Sequence, residues 1–245
     1  MYRLVYTLVF LLVCLLIPHQ ALATQIQFSS SFTQSDFKHL LKEAGDALAY
    51  TPLAPAEPLG ILGFDLGVEA TLVNISQNQS YWKDAVENAD VPSVLVFPKI
   101  HAQKGLPFGV DVGLSYAKVP SSLIDLGLIG AEVKWAVLKG GIASPAVAIR
   151  GTYTQLLGVD ELALQTYGVD ASISKGIAFI TPYAGVGQTW FSAREKSSAI
   201  SLDQERVTLT KGFVGAKVTV FLVNFVGEVE WSEIMRYSLR ANIGF

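Results

Sequence analysis

From Leu59 to Phe245 apolar and polar residues alternate through ten stretches separated by turn signals. Period-two alternation specifies strands with one oily and one polar face. The stretches run over 60–76, 93–104, 107–118, 125–138, 143–156, 161–174, 177–191, 205–221, 224–232 and 236–245. All are longer than the roughly 5–6 residues usual for strands of soluble sheets. Past residue 23 nothing approaches about 18 uninterrupted apolar residues, the length a membrane-crossing helix needs. A chain of this kind that sits in a bilayer must close its strands into a barrel, because lipid offers no partner to an unpaired backbone group.

The connections alternate as well. Long or polar ones follow the odd-numbered strands, over 77–92, 119–122, 157–160 and 192–204, with a tight 233–235 after the ninth. Short ones follow the even-numbered strands: Lys104-Gly105, Lys139-Gly140-Gly141, Lys175-Gly176 and 222–224. Three of the four carry a Lys-Gly pair whose glycine is free to take positive φ. In the first long connection Tyr81, Trp82, Ala85 and Val86 fit a short helical turn, with Lys83, Asp84 and Glu87 solvated. That loop reads as a solvated connector or as a lid or receptor-binding loop.

With 51% hydrophobic and 16% charged residues the chain is apolar for an ordinary soluble domain of its size, and part of that comes from the N-terminus. A net charge of −3 without any basic run argues against nucleic acid as a partner.

Residues 1–23 read as a cleavable signal peptide: Arg3, a largely apolar run from Leu4 to Ile17, then Ala21-Leu22-Ala23 for cleavage. Cys14 is the single cysteine and lies inside it, so the mature chain is expected to have neither disulfide nor cysteine-bound metal. Residues 24–58 break the strand pattern. Ser35 is placed to cap a helix whose Phe37, Leu40, Leu41, Ala44 and Leu48 form one stripe, and Pro52, Pro55 and Pro58 stiffen an extended linker behind it. This segment reads as a plug or a periplasmic cap on a barrel of residues 59–245. As a plug, its stripe would pack on lumen glycines such as Gly109 and Gly113.

In the last nine residues Tyr237, Leu239, Ala241, Ile243 and Phe245 share one face, and Ser238, Arg240, Asn242 and Gly244 the other. A final strand of this pattern that ends on an aromatic resembles the C-terminal assembly signal of bacterial outer-membrane β-barrels. The resemblance covers Leu59 to Phe245. It implies an all-β, transmembrane, antiparallel up-and-down barrel of about ten strands, with long loops outside and both chain ends in the periplasm. It also implies a lipid bilayer around the wall and insertion by the barrel-assembly machinery. Phe108, Tyr116, Trp135, Tyr153, Phe179, Trp190, Phe191, Trp231, Tyr237 and Phe245 would form interfacial girdles.

Alternation puts Asp65, Glu69, Lys99, His101, Asp111, Glu132, Lys134, Arg150, Asp170, Glu228, Glu230 and Arg240 on polar faces. Arg or Lys in midplane lipid costs about 2–4 kcal/mol, so these should line the lumen. Symmetric turns set Glu132 opposite Arg150, His101 opposite Asp111, Glu228 opposite Arg240 and Glu69 near Lys99. Eight strands are just filled by their own side chains, so ten make a narrow or plugged barrel.

Two functions fit that lining: passive passage of small solutes, or a structural role in the envelope. The alternatives are a surface interaction or adhesion barrel and, further off, an outer-membrane enzyme or a secreted soluble β-barrel. Enzymes of the resembled class place a histidine with Asp, Glu or Ser near the outer rim. Here His101 lies close to a tight turn, His39 in the helix and His19 in the signal, so no catalytic residues are assigned. A lone His101 without cysteine gives no metal site, and no cofactor is expected.

Overall fold

The computed structural model of the protein describes residues 32–85, 92–118, 127–159, 162–196 and 202–245. The expected signal peptide over 1–23 lies outside the described residues, as do Val86 and Glu87 of the first loop. Ten strands form one closed sheet: β1 (Phe64–Asn74), β2 (Val94–Gly105), β3 (Val110–Lys118), β4 (Gly127–Lys139), β5 (Ala146–Leu157), β6 (Leu162–Ser174), β7 (Ile180–Glu195), β8 (Glu205–Val220), β9 (Val223–Trp231) and β10 (Met235–Gly244). Each strand pairs antiparallel with its sequence neighbours, and β10 returns to β1, where Glu69 faces Arg240 and Leu72 faces Tyr237. The chain is the up-and-down barrel of ten strands that alternation predicts. Among the described residues two helices accompany it, α1 (Gln34–Leu48) and α2 (Ser80–Lys83), with a 3-10 turn at Pro107–Gly109. Among the described residues no helix is long and apolar enough to cross a membrane.

The polarity of the wall is inverted relative to a soluble protein. Leu114 and Val186 point outward and are 63% and 64% exposed, while Lys134, Arg150, His101, Glu69 and Glu230 point inward and are at most 2% exposed. Apolar side chains outside and charges inside suit a wall surrounded by hydrocarbon. The terminal face of Tyr237, Leu239, Ala241, Ile243 and Phe245 belongs to this outer surface.

Outward aromatics gather toward both rims. Phe64, Phe108, Trp135, Phe179 and Phe245 stand toward the tight-turn rim, and Tyr116, Trp190, Trp231 and Tyr237 toward the long-loop rim. Phe191 departs from the expected girdle. Alternation along β7 turns it inward, where it is 1% exposed and packs with the N-terminal segment.

Only one of the Lys-Gly turns uses its glycine for positive φ, at Gly140 (φ 76°). Elsewhere on that rim the left-handed residues are Gly60, Phe108, Gly109, Ala178 and Phe221. The Lys-Gly pairs serve other contacts. Gly105 leaves space for the backbone of Gly60 and donates its N–H to Gly63 O at 3.0 Å. Lys104 Nζ donates to Ile61 O and Gly63 O at 2.7 and 3.0 Å. Lys175 Nζ donates to Gly141 O and Ile142 O, both at 2.6 Å. Lys104 thus ties its turn to the lead-in of β1, and Lys175 ties its own to the β4–β5 turn, which braces the rim.

The register corrects three of the four expected pairs. Glu69 does face Lys99. Elsewhere Glu132 faces Thr152, with Lys134 opposite Arg150, because the β4–β5 connection is centred between Ile142 and Ala143 and not on Gly141, and a bulge between Ala136 and Leu138 takes back one residue of that shift. His101 faces Ser115 because the 3-10 turn lengthens the β2–β3 connection and brings Gly105 opposite Asp111. Glu228 faces Ser238, and Arg240 faces Val226, because the β9–β10 turn is centred on Glu233.

The N-terminal segment occupies the barrel. Helix α1 begins two residues earlier than expected: Thr33, not Ser35, caps it, and the Thr33 N–H donates back to Asp36 Oδ2 at 3.1 Å. Phe37, Leu40, Leu41 and Leu48 are buried together with Val73, Phe97, Leu128, Leu164 and Phe191 from inside the wall. Each such side chain contributes about 1.5–3 kcal/mol of burial. The extended strap from Ala49 to Leu59 then continues down the lumen to the tight-turn rim, where Leu59 N–H donates to Asp111 and Glu57 accepts from Gly176 N–H. The first described residues therefore lie at the rim opposite Phe245, not beside it.

Candidate functional site

Alternation in ten strands brings all twelve of the charges singled out from the sequence into one lumen, and what they bind there is mostly the chain itself. Three prolines in the strap lack an N–H, which leaves carbonyls in excess of donors. The wall supplies the missing donors. Arg236 donates to Ala49 O at 3.1 Å, Arg240 to Pro52 O at 3.3 Å and Arg150 to Ala54 O at 3.1 Å. Lys134 donates to Pro55 O and Glu57 O at 3.0 and 2.8 Å. Three strands, β4, β5 and β10, thus present a ladder of four cations at the spacing of an extended peptide.

Acidic residues compensate those cations. Asp111 holds Lys134 at 3.0 Å. Arg150 stands between Glu132 and Asp170, with Nε 3.6 and 4.0 Å from their oxygens. Glu132 therefore keeps Arg150 within reach diagonally although the register separates them. Asp65 pairs with Arg240 at 3.4 Å and also accepts from Asn242. Glu69 binds Lys99 at 2.6 Å, and Glu228 accepts from the Tyr183 hydroxyl at 2.8 Å. Glu230 is shared between Lys211 at 3.3 Å and Arg236.

His101 is committed to the same network. Arg240 donates to its Nδ1, which leaves the proton on Nε2, 2.8 Å from the Tyr50 hydroxyl oxygen. Tyr50 itself fits because position 130 is glycine: a Cβ there would come within 2.6 Å of the ring. The expected lumen glycines do other things. Gly113 makes room for the Gln103–Glu132 pair, and Gly109 lies in the turn beside Lys139.

Arg236, Lys211, Tyr50 and Asp46 are absent from the residues predicted to line the lumen. Arg236 lies two residues before Ser238, so one further step of the same alternation reaches it. Lys211 is masked by its inward neighbours Val207, Leu209 and Phe213, which make that face of β8 look apolar. No sequence pattern marks Tyr50 or Asp46, since they belong to the plug and their partners are remote in the chain.

The upper half of the lumen is closed by α1, which is fastened to three separate wall segments. Gln34 exchanges hydrogen bonds with Asp203 and donates to Glu205 at 2.7 Å. Glu43 accepts from Ser76 N–H at 2.7 Å, from the Tyr81 hydroxyl at 3.1 Å and from the Trp82 indole. Partial burial and the adjacent Glu43 carboxylate push the Tyr81 hydroxyl up to about 12, so it remains a donor at neutral pH. Asp46 accepts from Ile234 N–H and lies 3.8 Å from Arg236, which offsets its place at the negative end of the helix. Between helix and wall the space left open near Tyr50, Lys99 and Thr154 is about 20 Å³, room for roughly one water.

No protein-family model matches the chain, and no curated protein matches it in sequence. Among solved structures the chain is similar to the outer membrane protein OprG from Pseudomonas aeruginosa, at 10% identity over 78% of this chain and 97% of that one, with a TM-score of 0.35. It is also similar to the N-terminal β-barrel domain of Pseudomonas aeruginosa OprF, at 11% identity over 74% and 97%, with a TM-score of 0.35. A third is Ail, the attachment invasion locus protein of Yersinia pestis, at 10% identity over 75% and 97%, with a TM-score of 0.33. Likeness at this level assigns the chain no ligand, partner or activity.

Proposed function

We propose that this protein is an integral barrel of the bacterial outer membrane, exported by a cleavable signal and inserted by the barrel-assembly machinery, that keeps its own lumen shut. In this reading it is neither an enzyme nor an open pore. It serves the envelope as a structural, surface-exposed element, with its long loops facing the medium. The observation that carries the reading is the cation ladder: Arg236, Arg240, Arg150 and Lys134 are spent on strap carbonyls and so are not offered to a passing solute. Engagement of both His101 nitrogens inside that network argues in the same direction against acid–base catalysis.

A second reading is passage of small solutes when the plug withdraws, favoured by the polar lining that withdrawal would uncover. A planar-bilayer recording on refolded full-length protein tests both. The expected trace for the full chain is silent, and deletion of Thr24–Pro58 gives steady conductance. Steady conductance by the full chain would overturn the closed state, and an unchanged silent trace after the deletion would count against the plug.

A further inference from the structure

The direction in which the chain passes through its barrel has a functional consequence. Beginning at Leu59, beside Asp111 at the tight-turn rim, the chain read backwards meets Lys134 at Glu57 and Pro55, Arg150 at Ala54, Arg240 at Pro52 and Arg236 at Ala49. It then enters α1, whose first turn is bound at Asp203 and Glu205, where β8 starts at the long-loop rim. Every rung of this path lies inside the closed ladder of ten strands. The segment is therefore threaded through the barrel lengthwise, and α1 is held at the far rim by contacts to the β1–β2 loop, the start of β8 and the β9–β10 turn.

Resting on the outer-membrane reading above, we propose that the barrel carries its own amino-terminal segment through the lumen and presents it at the cell surface. The polar edge of α1, with Ser35, Lys38 and His39 exposed, then faces the medium. The protein acts as a membrane anchor that displays its amino-terminal side, while the strap closes the wall that anchors it. Geometry supports display over accidental plugging. The fastening is polar and specific at the rim, through Gln34, Glu43 and Asp46, and beneath it four wall cations take five of the strap carbonyls.

The test is cysteine accessibility in intact Gram-negative cells producing the full chain with Cys14 replaced by serine, probed with a membrane-impermeant maleimide. Ser35→Cys and Lys38→Cys report the helix, Asn78→Cys the β1–β2 loop and Ile142→Cys the β4–β5 turn, all at exposed positions. Heat-modifiable migration selects the variants that have closed their barrels. The expected result is that both helix cysteines label to the level of Asn78→Cys in intact cells, while Ile142→Cys gains label only when the outer membrane is opened. Labelling of the helix cysteines that follows Ile142→Cys instead would overturn the threading. If Ile142→Cys labels in intact cells and Asn78→Cys does not, the orientation under the proposed function is wrong. Threading is then still decided by which of the two reference positions the helix cysteines follow.

Discussion

At the level of single residues, Lys134 concentrates the energetics of the lumen. Its ammonium is 2% exposed and bonds at once to Asp111 and to two carbonyls of the strap. Removing one partner of a buried ion pair leaves the other charge uncompensated, at about 3–5 kcal/mol. Lys134→Met is therefore expected to lower the stability of the folded barrel by that amount, read as a shift in the urea midpoint of the heat-modifiable form. An unchanged midpoint would show that the ladder contributes nothing to closure. That the twelve predicted charges face the lumen was legible in the sequence, whereas their partners, Glu69 and Lys99 apart, were not, and the register explains why. The turns over Leu106, Gly141 and Ile234 are centred elsewhere, yet every displacement moves the pairing by an even number of residues. Even slips keep each side chain on its face and change only its neighbour. His101 thus stays inward but meets Tyr50 and Arg240 in place of Asp111.

Helix α1 shows how an element is specified by its setting as much as by its own pattern. The apolar stripe from Phe37 to Leu48 was readable, but the cap moved to Thr33 because Asp36 completes a reciprocal pair with it. Pro52, Pro55 and Pro58 predict a stiff extended linker; the strap turns at Leu53, whose φ of 47° aims the side chain among Tyr183, Phe213 and Val226. That pocket is built from three strands and leaves no trace in local sequence. Helix and wall approach closely at Gly45, where a Cβ would come within 2.8 Å of the Phe191 ring. Gly45→Leu should lift α1 from the wall and cost about 1–3 kcal/mol through overpacking. Thermal loss of the compact gel form measures this. Gly151→Ala, where an added Cβ meets nothing within 4 Å, is the matched control and should leave the transition in place.

Across the whole molecule the seam between β1 and β10 decides whether a barrel exists. Phe245 closes that seam: its carbonyl accepts from Phe64 N–H at 3.1 Å, its N–H donates to Phe64 O at 3.2 Å, and its ring meets the Phe64 ring edge-on at 4.9 Å. Deleting Phe245 is expected to reduce the amount of folded protein in the outer-membrane fraction, and an undiminished amount would remove the terminal aromatic from the assembly signal. The same seam constrains the order of events during folding. A sleeve stitched along its full length admits no cord from the side. The strap must lie in place before the last stitches join β10 to β1, or be drawn in afterwards through an open end against the grip of four cations.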